Sequence, residues 1–228
     1  MKCRAVIFDL DGVLVETHGY HCEAWRQTGV EQGFIVPESN FNKIRGLSRS
    51  ASFNLLFAHF KISEQIRVHM FEQKSIRYES LVMNNATRLA VEGCHSLLSD
   101  LRGSGCALAI YSSSKLAKLV LETSGLTHFF DYISDGFDRN RPKPFPDRLL
   151  SILTALKVAP DSAVLLDDAE VGLQAASAAG VPAIFVGSNS NFEKTVALAS
   201  LRGVALADLV TLTELAITRR ARNNPSLN

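Results

Sequence analysis

Three short apolar runs, each ended by a polar or acidic group, limit what this chain can fold into more than any other feature. Ala5-Val6-Ile7-Phe8 runs into Asp9 and Asp11-Gly12, Ala107-Leu108-Ala109-Ile110-Tyr111 stops at three serines, and Ala163-Val164-Leu165-Leu166 stops at Asp167-Asp168. Runs this short, without polar alternation, suit strands buried on both faces. Each precedes a segment of helical character, and a fourth run, Ala183-Ile184-Phe185-Val186, stops at Gly187. Strand followed by helix, repeated, predicts an α/β fold with a parallel sheet, in which sites gather at the carboxyl ends of strands.

Residues 17–88 break the pattern. Long polar-apolar periodic segments, few β-branched runs, and Pro37 and Gly46 as breakers predict helices only. The expected organisation is a core of residues 1–16 and 89–220, an inserted helical cap of residues 17–88, and a flexible tail of residues 221–228. The Ala, Leu and Val-rich stretch from Thr195 to Ile217 is interrupted by Arg202, Asp208 and Glu214, which argues for packed helix and strand and against a membrane span.

The chain has 228 residues, 46% of them hydrophobic, enough to bury a substantial core. A formal net charge of +1 with basic residues dispersed offers no stripe for nucleic acid. Cys3, Cys22, Cys94 and Cys106 show neither close pairing nor metal-ligand spacing, so free thiols in a reducing, cytoplasmic setting are expected. The apolar stretch at the amino terminus is too short for a signal core. A monomer with no membrane partner is expected.

Each polar group at a strand end has a local explanation. Asp11-Gly12 suits a turn, Ser112 could cap a helix beginning near Lys115, Asp168 could cap a helix from Ala169 to Gly180, and Lys143 between prolines could be solvated. Together these explanations weaken. Four carboxylates, Asp9, Asp11, Asp167 and Asp168, gathered at one sheet edge repel one another and call for a cation. Mg2+ prefers oxygen ligands and is usually held by one or two carboxylates together with a substrate phosphate. Phosphoryl transfer needs a nucleophile, a cation and hydrogen-bond donors around the moving group. Asp9 would attack phosphorus, Lys143 and the ion would neutralise the equatorial oxygens, Ser112 would orient them, and Asp11 would be general acid and base.

With these residues placed, the chain resembles the haloacid-dehalogenase superfamily. Its first motif is similar to Phe8-Asp9-Leu10-Asp11-Gly12-Val13, its second to Ser112, its third to Lys143 in Pro-Lys-Pro-x-Pro-Asp, and its fourth to Asp167-Asp168 followed by Gly172 and Gln174-Ala175-Ala176. The resemblance implies a Rossmann-like, doubly wound core with an inserted helical cap. It implies Asp9, Asp168 and the Asp11 carbonyl as Mg2+ ligands, with Asp167 an alternative ligand.

The cap is similar to that of the β-phosphoglucomutase branch through Tyr20-His21-x-x-Ala24-Trp25, Arg45-Gly46-Leu47-Ser48-Arg49-x-x-Ser52, and Lys74 four residues before Tyr78. The resemblance implies that Arg49 and Lys74 hold the phosphate that is not transferred, while His21, Trp25, Gly46, Leu47 and Ser48 line the sugar site. Thr17, Ser52, Ser113, Ser114 and Lys115 complete the expected substrate set. Trp25 could equally be ordinary cap core. The chain departs from the branch at Glu16, Glu92, Leu116, Arg141 and Asp167, positions that bear on substrate choice. The expected function is Mg2+-dependent interconversion of hexose 1- and 6-phosphates through an aspartyl-phosphate, the alternatives being a sugar-phosphate phosphatase and a binder that no longer turns over.

Overall fold

The computed structural model describes residues 3–187 and 195–223. Its strands are β1 (Ala5–Phe8), β2 (Ala107–Tyr111), β3 (Tyr132–Ser134), β4 (Ala163–Asp167), β5 (Ala183–Val186) and β6 (Val196–Leu198). All pair parallel in one sheet of order β3-β2-β1-β4-β5-β6. Successive strands add on one side of β1 and then, from β4 on, on the other. The direction of winding therefore reverses between β1 and β4, the crevice where open α/β sheets place their sites.

Period-two alternation splits the strand side chains between two cores. Val6, Phe8, Leu108, Ile110, Val164 and Leu166 pack under α5 (Cys94–Gly103), α6 (Ala117–Thr123) and α9 (Leu206–Asn223). Ala5, Ile7, Ala109, Tyr111 and Leu165 face α7 (Asp147–Leu156) and α8 (Glu170–Ala179). Burial on both faces is why these runs carry no polar alternation; each fully buried Leu, Ile or Phe contributes about 1.5–3 kcal/mol. The tail expectation needs correction, because α9 continues to Asn223 in place of ending near residue 220. The rest of that tail, like Met1 and Lys2, lies outside the described residues. No helix among the described residues is long and apolar enough to cross a membrane.

Between β1 and α5 the chain forms four further α-helices: α1 (His18–Glu31), α2 (Glu38–Phe41), α3 (Arg49–Leu56) and α4 (Glu64–Asn84). They enclose their own cluster of Trp25, Phe41, Ile44, Phe53, Phe57 and Met70. Ser48 and Ser63 begin α3 and α4 by accepting the Ala51 and Ile66 amides at 3.3 Å, satisfying donors that a helix start leaves free. The chain enters and leaves this helical segment side by side. Glu16 N donates to Leu89 O at 2.9 Å and Val91 N donates to Leu14 O at 2.9 Å.

Candidate active site

Asp9 follows β1 directly, and its backbone N donates to Leu166 O on β4 at 2.8 Å, which locks it beside Asp167 at the end of β4. Lys143 Nζ donates to Asp9 Oδ1 and to Asp167 Oδ2, both at 2.6 Å. All three side chains are almost completely buried. Ser112 follows β2, its N donates to Ser134 O at 2.9 Å, and its Oγ accepts the Ser114 amide at 3.1 Å. That bond orders the serine loop before α6, which begins at Ala117, close to the expected start near Lys115. Asp168 does not cap α8. Ala169 holds the cap position without a side-chain bond, and Asp167 Oδ1 accepts the Ala169 amide at 3.0 Å. The capping explanation for Asp168 therefore fails, as does the solvated one for Lys143.

Oxygens of Asp9, Asp167 and Asp168 lie within 4.8 Å of one another. Burial, with the charges of Asp167, Asp168 and Asp11, pushes the Asp9 carboxyl well above the usual range against the pull of Lys143. Burial and Asp167 likewise raise Asp168 to about 6. Asp168 Oδ1 is buried with no hydrogen-bond partner. Three hard oxygen donors, an excess of negative charge and an orphaned carboxylate oxygen fit a divalent cation with oxygen preference. Gly12 takes φ +91°, and a Cβ there would overlap Asp168 Oδ2 and Arg45 Nη1. A bare backbone is thus needed for close approach, beyond any need of a turn.

Asp11 faces the helical segment. Its Oδ1 accepts from Thr17 Oγ1, from Tyr78 OH at 3.0 Å and from His21 Nε2 at 3.2 Å. Burial alone would raise its pKa, but His21, Thr17 and Tyr78 together outweigh it and hold the carboxyl well below the usual range. His21 Nδ1 lies 2.8 Å from Lys74 Nζ. A protonated lysine can only donate, so Nδ1 accepts and Nε2 carries the hydrogen given to Asp11. Burial, then the Lys74 charge, lowers the His21 pKa, consistent with this neutral tautomer.

A small cavity of about 60 Å3 lies between the sheet edge and the helices. Asp9, Asp11, Lys74, Arg49 and Lys115 give it its charges, His21 adds a neutral polar ring, and Trp25, Leu47, Ile44 and Leu116 form apolar wall. Ser52, Gly46, Ser113 and Ser114 also reach it. Arg49 Nη1 donates to Ser75 Oγ at 2.9 Å, its guanidinium lies 4.9 Å from the Phe71 ring centroid, and its Nε is buried without a partner. Lys115 Nζ sits 5.0 Å from the Phe137 ring centroid. Among the described residues, Arg49, Lys74 and Lys115 have no ion-pair partner, which leaves three cations around one cavity uncompensated.

Of the expected substrate residues, Thr17 and Ser48 do not line the cavity, whereas Trp25 does. Thr17 is fully buried behind Asp11, Ser48 is spent on capping α3, and Trp25 is 1% exposed, touching the cavity from inside the aromatic cluster. Two residues outside the expected set are prominent. Arg45 pairs with Asp168, and Tyr78 donates to Asp11. Only the position of Arg45 beside Gly46-Leu47-Ser48-Arg49, and of Tyr78 one turn after Lys74, could have signalled them.

Residues 6–186 match the family model described as haloacid dehalogenase-like hydrolase. The chain is 29% identical to a β-phosphoglucomutase of Bacillus subtilis, covering 81% of this chain and 83% of that one. It is 31% identical to a phosphorylated carbohydrates phosphatase of Thermotoga maritima, covering 80% and 84% respectively. The crystal structure of a β-phosphoglucomutase from Clostridium difficile superimposes with a TM-score of 0.86 at 28% identity, over 95% of this chain and 99% of that one. Motif order, sheet topology and the acid cluster at the winding reversal agree with these matches, and the chain belongs to the haloacid dehalogenase-like hydrolase family.

Proposed function

We propose that this protein transfers phosphoryl groups on a small phosphorylated sugar through an aspartyl-phosphate at Asp9, and that it interconverts hexose 1- and 6-phosphates. The observation that carries the proposal is the pairing of one buried nucleophile with three uncompensated cations, Arg49, Lys74 and Lys115, around a single cavity. A substrate with one phosphate needs cations only at the reacting centre. A bisphosphate needs a second set, and the helical side supplies it.

Asp9 Oδ attacks phosphorus while the bond from phosphorus to the sugar oxygen breaks, and Asp11 gives that oxygen its proton. In the second half the other sugar hydroxyl attacks phosphorus, Asp11 takes its proton, and Asp9 is freed. Lys143, fixed on Asp9, offsets charge at the phosphoryl oxygens, and the Ser112 hydroxyl and the amides after it orient them. Asp9, Asp168 and the Asp11 backbone carbonyl would hold Mg2+, with Asp167 beside them; bound there, the ion supplies further charge neutralisation for the phosphoryl group. Asp11 in its present hydrogen bonds is held as a carboxylate. To donate a proton it must leave Thr17, Tyr78 and His21.

The four helices α1 to α4 act as a cap. The cavity of about 60 Å3 is far below the ~300–1,000 Å3 of pockets for molecules of this size, so the cap must open for sugar to enter and close to keep water out. Phosphorus NMR of β-glucose 1-phosphate with Mg2+ and a trace of glucose 1,6-bisphosphate tests the function. Appearance of glucose 6-phosphate is expected, and inorganic phosphate alone would overturn the mutase reading. Hydrolysis is the second reading. It is favoured by the Thermotoga maritima relative named as a phosphatase and by apolar Leu116 on the cavity wall, where no donor is offered to a phosphate.

A further inference from the structure

Arg45 occupies a position that neither a sugar site nor a structural role explains. It sits at the second position of a tight turn, Ile44-Arg45-Gly46-Leu47, closed by Leu47 N donating to Ile44 O at 3.1 Å. Arg45 has φ −56° and ψ 130°, and Gly46 has φ +70°, the geometry of a type II turn. Gly46 O accepts from Ser113 Oγ at 3.0 Å, which ties the turn to the loop after β2. The turn thereby aims the Arg45 guanidinium from the helical segment onto Asp168 of the sheet edge, where Nη1 pairs with Oδ2. The Asp168 side chain is 2% exposed and that of Arg45 is 40% exposed, so the acid is fixed and the base is free to leave.

We infer that Arg45 is a cap-borne countercharge that holds Asp168 in the metal-free enzyme and is displaced by the metal, so that cap closure and metal binding oppose each other until substrate arrives. The inference rests on the reading that Asp9, Asp167 and Asp168 take a divalent cation. Oδ2 already carries a guanidinium, Oδ1 is unpartnered, and Asp168 Oδ2 and Arg45 Nη1 fill the space against the bare Gly12 backbone. A divalent ion drawn onto Asp168 repels Arg45 and weakens one of the two polar ties, Arg45 to Asp168 and Ser113 to Gly46, that the turn makes with the sheet edge. Arg45 stands between Ile44 and Gly46, which both line the cavity, so once freed from Asp168 it would be attracted by a phosphate bound there. In this way the empty enzyme keeps its acids paired, the metal loosens the cap for sugar to enter, and the sugar phosphate closes it again.

The test is binding of Mn2+ without substrate, read from the spin-resonance signal of the free ion, together with small-angle scattering. Arg45→Gln is expected to tighten Mn2+ binding by about three- to tenfold, and Arg45→Lys to stay near the parent protein. Scattering of the parent protein is expected to expand on Mn2+ addition, and Arg45→Gln to be expanded beforehand. Equal Mn2+ affinity in Arg45→Gln and parent, with Asp168→Asn abolishing binding in both, overturns the role of Arg45 and leaves the metal site standing. Absence of Mn2+ binding in the parent protein overturns both.

Discussion

Lys143 Nζ lies 2.6 Å from Asp167 Oδ2, and neither side chain is more than 1% exposed. The same ammonium reaches Asp9, so one cation serves two buried acids from neighbouring strands. Burial works against its charge, but Asp167 and Asp9 outweigh it and hold the lysine charged well above its usual range. Lys143→Met would strand both carboxylates. We expect a loss of about 3–5 kcal/mol in urea denaturation together with loss of phosphoryl transfer. A variant as stable as the parent would show that the pair carries no such weight.

Lys74 is buried against Tyr78, and burial followed by the Arg49 charge pulls its pKa down to about 7, against the opposite pull of Asp11. The unfolded chain keeps the proton up to the ordinary lysine value of 10.5. Between these two values the unfolded state binds more protons, so this lysine's contribution to stability rises with pH; below about pH 7 its charge is a full penalty. Lys74→Met should therefore stabilise the protein at pH 6 relative to pH 9, by a difference on the order of 3 kcal/mol. Equal denaturation midpoint shifts at both pH values would contradict it.

Tyr78→Phe removes one of three donors that hold Asp11 ionised. The Asp11 pKa should rise, and the acid limb of the pH profile of kcat/KM should move to higher pH. A cost of about 1.5–3 kcal/mol in stability is expected for a hydrogen bond to a charged group. An unmoved acid limb would mean that Asp11 is not the group titrating there.

A Cβ on Gly46 would come within 2.5 Å of the Ala169 side chain, at a backbone angle that already disfavours one. A Cβ on Gly33 has the same kind of angle, φ +76°, but meets nothing within 4 Å. Both Gly46→Ala and Gly33→Ala should cost about 1–2 kcal/mol of backbone strain. Only Gly46→Ala should lower kcat/KM, by roughly tenfold or more, because only it props the cap off the sheet edge. Similar kinetics in the two variants would rule out that contact.

The four apolar runs that became β1, β2, β4 and β5 were legible because burial on both faces removes polar residues altogether. Tyr132-Ile133-Ser134 and Val196-Ala197-Leu198 gave no such signal; each is three residues long and lies at a sheet edge, where half-burial suffices. Asp9, Ser112, Asp167 and Asp168 were legible because each ends a strand or follows one directly. Arg45 and Tyr78 were not, since their partners lie 123 and 67 residues away and only the packing of the helices on the sheet brings them near. Ser48 was read in the sequence only as a sugar ligand, and its bond to the Ala51 amide shows that it also caps α3.

The paired linkers at Glu16 with Leu89 and Val91 with Leu14 have a consequence for how such a chain can change. Because the insertion begins and ends at adjacent points, its length and content are decoupled from the registry of β1 with β2. A different helical module could be spliced between those two points, giving the same phosphoryl chemistry a new specificity without disturbing the folding of the sheet that performs it.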